Sequence, residues 1–288
     1  LYFQAHRGTY TSQAKTKKGN RKSEFHLREA EMWNSIAANF TQYNYPYPEL
    51  KENWKKVLLN QFHDIIPGSS IKEVYEDVNV IYNNVEQNLD KIIDNTLKQL
   101  IDDLELNRND NSKYYLIWNG LDFKRSTYIQ FNEDELNFTE DNIEFCDPVK
   151  DEELEFTKRK NLNDEIIYDI YLEDIPSFGY KAIEIKASEN DIKTKKHNIT
   201  DNKTVENEYF KLNFANGKII SLFDKKRELE LIEEGKAGNE LQFFVDKPDR
   251  FEAWEQDADF EDHRIEDELK LKEFEINEYK TEKIINLK

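Results

Sequence analysis

The sequence predicts an α+β multidomain chain: an antiparallel three-helix bundle followed by β-sandwich domains, the last one truncated. Three observations carry that prediction. Through roughly the first hundred residues apolar side chains recur at three- and four-residue spacing, as on one buried stripe of a helix. After Asn107–Ser112 the period drops to two, with short β-branched and aromatic runs between turn signals. The 288 residues also exceed the roughly 100–200 of a usual domain, so more than one core is expected. The domains read as a helical bundle over 1–110, a small all-β domain over 111–190 and the start of a large C-terminal β-sandwich over 191–288.

The first helix spans about Arg21 to Phe40, with Phe25, Ala30, Trp33, Ile36, Ala37 and Phe40 on one stripe. The aromatic, proline-rich stretch Tyr43 to Pro48 breaks it. A second helix starts at Pro48 and Glu49, carries Leu50, Trp54, Val57, Leu58 and Gln61 on one face, and stops near Pro67-Gly68. Ser70 with Glu73 forms a capping box for a third helix, whose apolar rhythm from Ile71 to Leu104 predicts a rod of about 50 Å. Short connections make the three antiparallel neighbours, because each apolar stripe must be covered. Strands are then predicted at Tyr114 to Trp118, Thr127 to Phe131, Glu165 to Tyr171 and Tyr180 to Ile185, separated by Asn119-Gly120, Asp147-Pro148 and Pro176-Ser-Phe-Gly179. The polar run Lys186 to Asn202 reads as a linker to further strands at Tyr209 to Phe214, Lys218 to Phe223 and Leu241 to Val245.

Charge narrows the partners. With 41 Lys and Arg against 60 Asp and Glu the net charge is −19, and the only basic cluster is the short run Lys15 to Arg21. That argues against nucleic acid and anionic membranes as partners. No apolar run approaches the roughly 18–20 residues of a membrane span. Cys146 is the single cysteine, so an intramolecular disulfide is impossible, and a reducing, cytoplasmic setting is expected. Homo-oligomerisation is left open. The opening Leu1-Tyr-Phe-Gln4 reads either as the remnant of a protease-site tag or as a start partway through a longer protein, and both ends look cut.

Three clusters carry reactive groups. Asn60-Gln-Phe-His-Asp-Ile-Ile-Pro-Gly-Ser-Ser70 puts His63 and Asp64 at a helix end before a Pro-Gly turn, where side chains can leave the bundle. The plainer alternative is an imidazole near the last helix carbonyls and an aspartate capping the turn. His6-Arg-Gly-Thr-Tyr-Thr-Ser-Gln13 offers close backbone approach at Gly8, a guanidinium at Arg7 and a flat ring at Tyr10, or else simply a turn leading into the helix. Asp249-Arg-Phe-Glu-Ala-Trp-Glu-Gln-Asp-Ala-Asp259 interleaves aromatics with carboxylates, as sugar recognition or a glycosidase pair requires, against the alternative of an acidic solvated loop. His26, His197 and His263 lack ligand spacing, and Cys146 has no base beside it.

Taken together, these stretches resemble the alpha-mannosidases of glycoside hydrolase family 38. The resemblance runs through Leu1 to Ala14, Asn20-Arg21, Glu24, Glu31 and Gln61 to Ser70 in the same order. It continues through Trp118-Asn-Gly-Leu-Asp-Phe-Lys-Arg125, with Gly120 where proline is common, then Ile175 to Tyr180, Glu206 to Phe210, Gly217 to Lys225 and Asp249 to Asp257. It favours a start partway through a longer protein over a tag remnant.

The resemblance implies a zinc-dependent, retaining, exo-acting enzyme that removes terminal alpha-linked mannose from oligosaccharides. His63 matches the zinc ligand contributed by the bundle and Asp64 a residue that binds sugar hydroxyls, with Arg7 and Tyr10 in support. The nucleophile and acid are implied to lie in an N-terminal domain outside this sequence, so no catalytic residue is assigned here. One ligand should not hold zinc tightly, and the chain alone is expected to be inactive. The competing reading is a non-catalytic carbohydrate-binding or scaffold module.

Overall fold

The computed structural model describes residues 6–102, 112–136, 142–161, 163–188, 197–198, 203–265, 271–278 and 283–287. Two compact units emerge, Leu1–Asn107 with Phe243–Glu266, and Arg108–Gln242 with Asp267–Lys288. The helical unit thus recruits a segment from far along the chain. The expected boundary and the opening Leu1 to Gln4 fall almost wholly outside the described residues.

The helical unit holds α1 (Ala14–Phe40), α2 (Tyr47–Asn60) and α3 (Lys72–Asp102). Lys22 meets Glu86, His26 meets Asp90 and Asn34 meets Thr96, so α1 and α3 advance together. Gln61 meets Asn20 whereas Trp54 meets Glu31, so α2 runs against α1. The predicted bundle is therefore up-down-up.

Its buried faces depart from the predicted stripes. On α1 the buried residues are Thr16, Ser23, Leu27, Ala30, Trp33, Asn34 and Ala37, several of them seven apart, while Phe25 and Phe40 are exposed. At about 100° per residue, Phe25 lies nearly opposite Ser23 and Leu27. Its ring is instead covered by the Arg21 guanidinium, 5.6 Å from the centroid. Small residues on α1 admit large ones from α3: a Cβ on Gly19 would stand 2.7 Å from Cδ2 of Tyr82. On α2, Leu50, Asn53, Val57 and Asn60 are buried, and Leu58 is exposed rather than facing inward. The helix ends at Asn60, short of the predicted Pro67-Gly68. The capping box also fails, because the Ser70 N–H that Glu73 would accept donates to the Tyr75 hydroxyl at 2.9 Å.

In the second unit, one group of strands builds a sandwich. These are β1 (Lys113–Asn119), β2 (Arg125–Asn132), β3 (Ile143–Asp147), β4 (Glu152–Glu153), β5 (Phe156–Lys160), β6 (Ile166–Ile175) and β7 (Gly179–Ala187), with the short helix α4 (Glu133–Leu136) after β2. They form an antiparallel sheet β1-β7-β3-β4 and another, β2-β6-β5. Phe145, Ile183 and Ile185 from the first share a core with Phe131, Tyr168, Ile170 and Leu172 from the second. The remaining strands are β8 (His197–Asn198), β9 (Thr204–Glu206), β10 (Phe210–Ala215), β11 (Lys218–Asp224), β12 (Leu229–Glu230), β13 (Phe274–Glu278) and β14 (Lys283–Leu287), in sheets β12-β11-β10-β9 and β14-β13-β8. The two residues Asn216 and Gly217, both with positive φ, close the β10–β11 hairpin. The predicted strand Leu241 to Val245 does not form; only an isolated bridge joins Phe244 to Arg264, and Leu241, Phe243 and Val245 are exposed. No described helix is long and apolar enough to cross a membrane.

Candidate functional site

Past Asn60 the chain leaves α2 in overlapping tight turns. Gln61 N–H donates to Val57 O, Phe62 N–H to Leu59 O, Ile65 and Ile66 N–H to Phe62 O, and Gly68 N–H to Ile65 O. The side chains of His63 and Asp64 take no part in closing these turns and point out, 77% and 56% exposed. Nε2 of His63 lies 3.6 Å from Oδ2 of Asp64, and the imidazole packs on the Phe62 ring with centroids 4.2 Å apart.

This turn is anchored from both sides. Gln61 Nε2 donates to Asn20 Oδ1 at 2.9 Å and to Glu24 Oε1 at 3.0 Å, while Arg21 also binds Glu24. Lys17 reaches across from the first turn of α1 and donates to Ile66 O at 2.9 Å, Pro67 O at 3.2 Å and Ser12 O. Burial pulls its pKa below the ordinary lysine value, whereas three carbonyl acceptors favour the ammonium. Gly68, at φ +98°, lies beneath Ser12, where an added Cβ would fall 2.7 Å from that residue's Cβ.

The segment before α1 is a short 3-10 helix, Arg7–Tyr10. Gly8 N–H donates to Trp254 O at 2.9 Å and Ser12 Oγ to Ala253 O at 3.0 Å. A Cβ on Gly8 would lie 3.1 Å from Glu255 O, so the close approach expected at this glycine is real. His6 packs on Trp254 with ring centroids 4.6 Å apart, and the Arg7 guanidinium lies 5.7 Å from the Phe260 ring centre. Tyr10 is 80% exposed. The Asp249–Asp259 loop is tightly wound, with Trp254 and Glu255 N–H both donating to Phe251 O and Asp257 accepting the Asp249 N–H.

The structure thus gathers all three sequence clusters into one unit, with the 6–13 segment joining the other two. Sequence reasoning named Ser12 only within the His6–Gln13 cluster and missed Lys17; together these two make the joint. Lys17 sits inside a basic run, and no pattern separates it from its exposed neighbours.

For a metal, this turn offers the exposed imidazole of His63 with the Asp64 carboxylate beside it. Zinc in proteins takes four ligands, or three plus water. Among the described residues no group of three His, Cys, Asp or Glu side chains could hold a metal ion. An imidazole such as that of His63 can supply at most one ligand of such a site. Cys146 is buried, and that burial raises its thiol pKa, which does not suit a nucleophile.

Two family models match the sequence: the alpha mannosidase middle domain over residues 4–100 and the glycosyl hydrolases family 38 C-terminal domain over 205–285. Alpha-mannosidase G of Dictyostelium discoideum is 29% identical over 290 aligned residues, covering 89% of this chain but 25% of that protein. An alpha-mannosidase of Saccharomyces cerevisiae is 47% identical over 107 residues, 35% of this chain and 10% of its own length. Two Enterococcus faecalis structures share the fold over 77% of this chain: an alpha-mannosidase (TM-score 0.59, 16% identity, 29% of that chain) and a family 38 glycosyl hydrolase (0.61, 17%, 30%). The chain spans about a quarter of the length of the Dictyostelium relative.

Proposed function

Because the chain belongs to glycoside hydrolase family 38, whose middle and C-terminal domains it carries, we propose that it acts within a longer alpha-mannosidase that releases terminal alpha-linked mannose from oligosaccharides. In this reading the enzyme is exo-acting, zinc-dependent and retaining. The observation that supports it best is the exposed His63–Asp64 pair on a turn whose backbone is held by Lys17, Gln61 and Gly68.

Each residue has a role that its chemistry allows. His63 offers an imidazole lone pair as one zinc ligand. When bound, the ion supplies a positive charge beside vicinal sugar hydroxyls and stabilises charge shifts in an oxocarbenium-like transition state. Asp64 accepts hydrogen bonds from those hydroxyls, while Arg7 and Tyr10 support the sugar from the neighbouring segment. The nucleophile and the acid/base carboxylate that a retaining mechanism needs are assigned to other parts of the longer protein. By itself the chain would neither retain zinc nor hydrolyse mannosides. The single cysteine suits a cytoplasmic enzyme.

The test is His63→Ala in the longer enzyme. Bound zinc, measured by elemental analysis, falls from one equivalent to near none, and kcat/KM on an aryl alpha-mannoside drops by about 10³-fold, the worth of several kcal/mol of lost electrostatic stabilisation. Full zinc content with normal turnover refutes the assignment.

A further inference from the structure

Lys17 occupies a position that ordinary helix electrostatics disfavour. It stands in the first turn of α1, which has no acidic residue, and there the helix dipole repels a cation. The side chain is half-buried, whereas the neighbouring Lys15 and Lys18 point into solvent. What offsets both penalties is a set of three backbone carbonyls from one nearby and one remote segment: Ser12 O on its own approach to the helix, and Ile66 O and Pro67 O on the turn after α2. Each of those carbonyls would otherwise need another donor.

A second requirement converges on the same joint. Gly68 leaves the Ile66-Pro67 pair at φ +98°, and only the absence of a side chain lets its backbone pass under Ser12. Ser12 in turn donates through its hydroxyl to Ala253 O. A continuous path of short polar contacts therefore runs from the turn carrying His63 and Asp64, through Lys17 and Ser12, to the loop carrying Trp254.

We infer that Lys17 is a positioning residue: its ammonium fixes the His63–Asp64 turn against the 6–13 segment and thereby sets where those two side chains are presented. The inference rests on the functional reading above for its consequence, but its structural part stands apart from it. No contact between Lys17 and substrate is invoked.

Two measurements test it. In the 288-residue chain, Lys17→Met speeds amide hydrogen exchange across residues 61–68 by about 10–100-fold, while amides of Val78–Leu89 in α3 keep their wild-type rates. Lys17→Arg, whose guanidinium can still donate to several carbonyls, restores much of the protection. In the longer enzyme, Lys17→Met lowers kcat by about 10–100-fold with a smaller change in KM, the cost expected of misplaced ligands, and Lys17→Arg recovers part of it. Unchanged exchange at 61–68, or equal acceleration there and in α3, overturns the inference. If Lys17→Met does not fold, Lys17→Gln, which keeps an amide donor, takes its place in both measurements, and the same results support or overturn the inference. A wild-type enzyme that hydrolyses no mannoside refutes the functional reading, yet the exchange result still decides the role of Lys17.

Discussion

Lys17 in the helical unit and Asp147 in the sandwich use one physical device with opposite sign. Each is a charge withdrawn from water that gathers the poles of the backbone around it. Asp147, 3% exposed, accepts the N–H groups of Val149 at 3.0 Å and Lys150 at 3.2 Å, and its carboxylate meets the Lys181 ammonium at 3.2 Å. Those backbone partners lie two and three residues away, so Asp147 shapes its own turn. Lys17 binds carbonyls 49 and 50 residues away and shapes a remote one. The local device makes a sandwich corner rigid. The remote one holds the turn from which the exposed His63 and Asp64 side chains emerge.

The sharpest way to break this contrast is at Gly68. Ala there must adopt a φ that L residues rarely take, and its Cβ must displace Ser12, whose C and O would stand 2.9 Å away. Strain and overpacking together should cost about 3 kcal/mol. Gly68→Ala is expected to lower the urea midpoint of the helical CD signal and to speed exchange at residues 61–68, leaving amides of β3 and β7 untouched. A wild-type midpoint would mean that the turn yields freely and that the joint with Ser12 holds nothing in place.

The same contrast explains what can be read from the sequence. Asp147-Pro148 is legible as a turn because its backbone partners are local, and Asn119-Gly120 because Asn119 accepts the Leu121 N–H and donates to Phe123 O within its own loop, whereas its further donation to Ile175 O and Pro176 O is not legible. The three helices are legible because each repeats a periodic stripe, although the spacing puts Phe25 inward where Leu27 belongs, since it does not fix which of two nearby apolar residues faces the core. Strand β5, Phe-Thr-Lys-Arg-Lys, is hidden by charges that pair across the sheet, as Arg159 does with Asp169 at 2.6 Å. Around the candidate site, His63 and Asp64 are visible as reactive groups beside a Pro-Gly signal. Lys17 is not, because its partners are carbonyls, which every residue has. The Trp254 loop reads equally well as an acidic solvated loop; its docking goes through the carbonyls of Ala253 and Trp254, and no side-chain pattern advertises that.

Removing the local device should do less, and do it elsewhere. Asp147→Ala leaves two N–H groups without their acceptor and takes the carboxylate from the half-buried Lys181 ammonium, which keeps Glu173 O, at a cost of about 2 kcal/mol. Asp147→Asn keeps an oxygen for the turn and should lose less than Ala does. Exchange should quicken in β3 and β7 while the 61–68 turn keeps wild-type protection. Equal effects in both places would erase the distinction between a corner that supports itself and a turn that is held from afar.

The smallest effect is a dependence on acid. Burial alone would raise the Asp147 carboxyl, but the N–H donors of Lys150 and Val149 and the Lys181 ammonium outweigh it and hold its pKa below the ordinary value. In the unfolded chain the group titrates at about 3.9, so there the unfolded state binds more protons than the folded one. The stabilisation from Asp147 is therefore complete above about pH 4 and is lost as the pH falls through the lower, folded value. Amide exchange in β3, followed from neutral pH down into that window and corrected for intrinsic rates, should show protection eroding in the wild type. Asp147→Asn, having no proton to take up, should start less protected and lose less over the same range. Parallel curves for the two proteins would assign the acid sensitivity to other carboxylates.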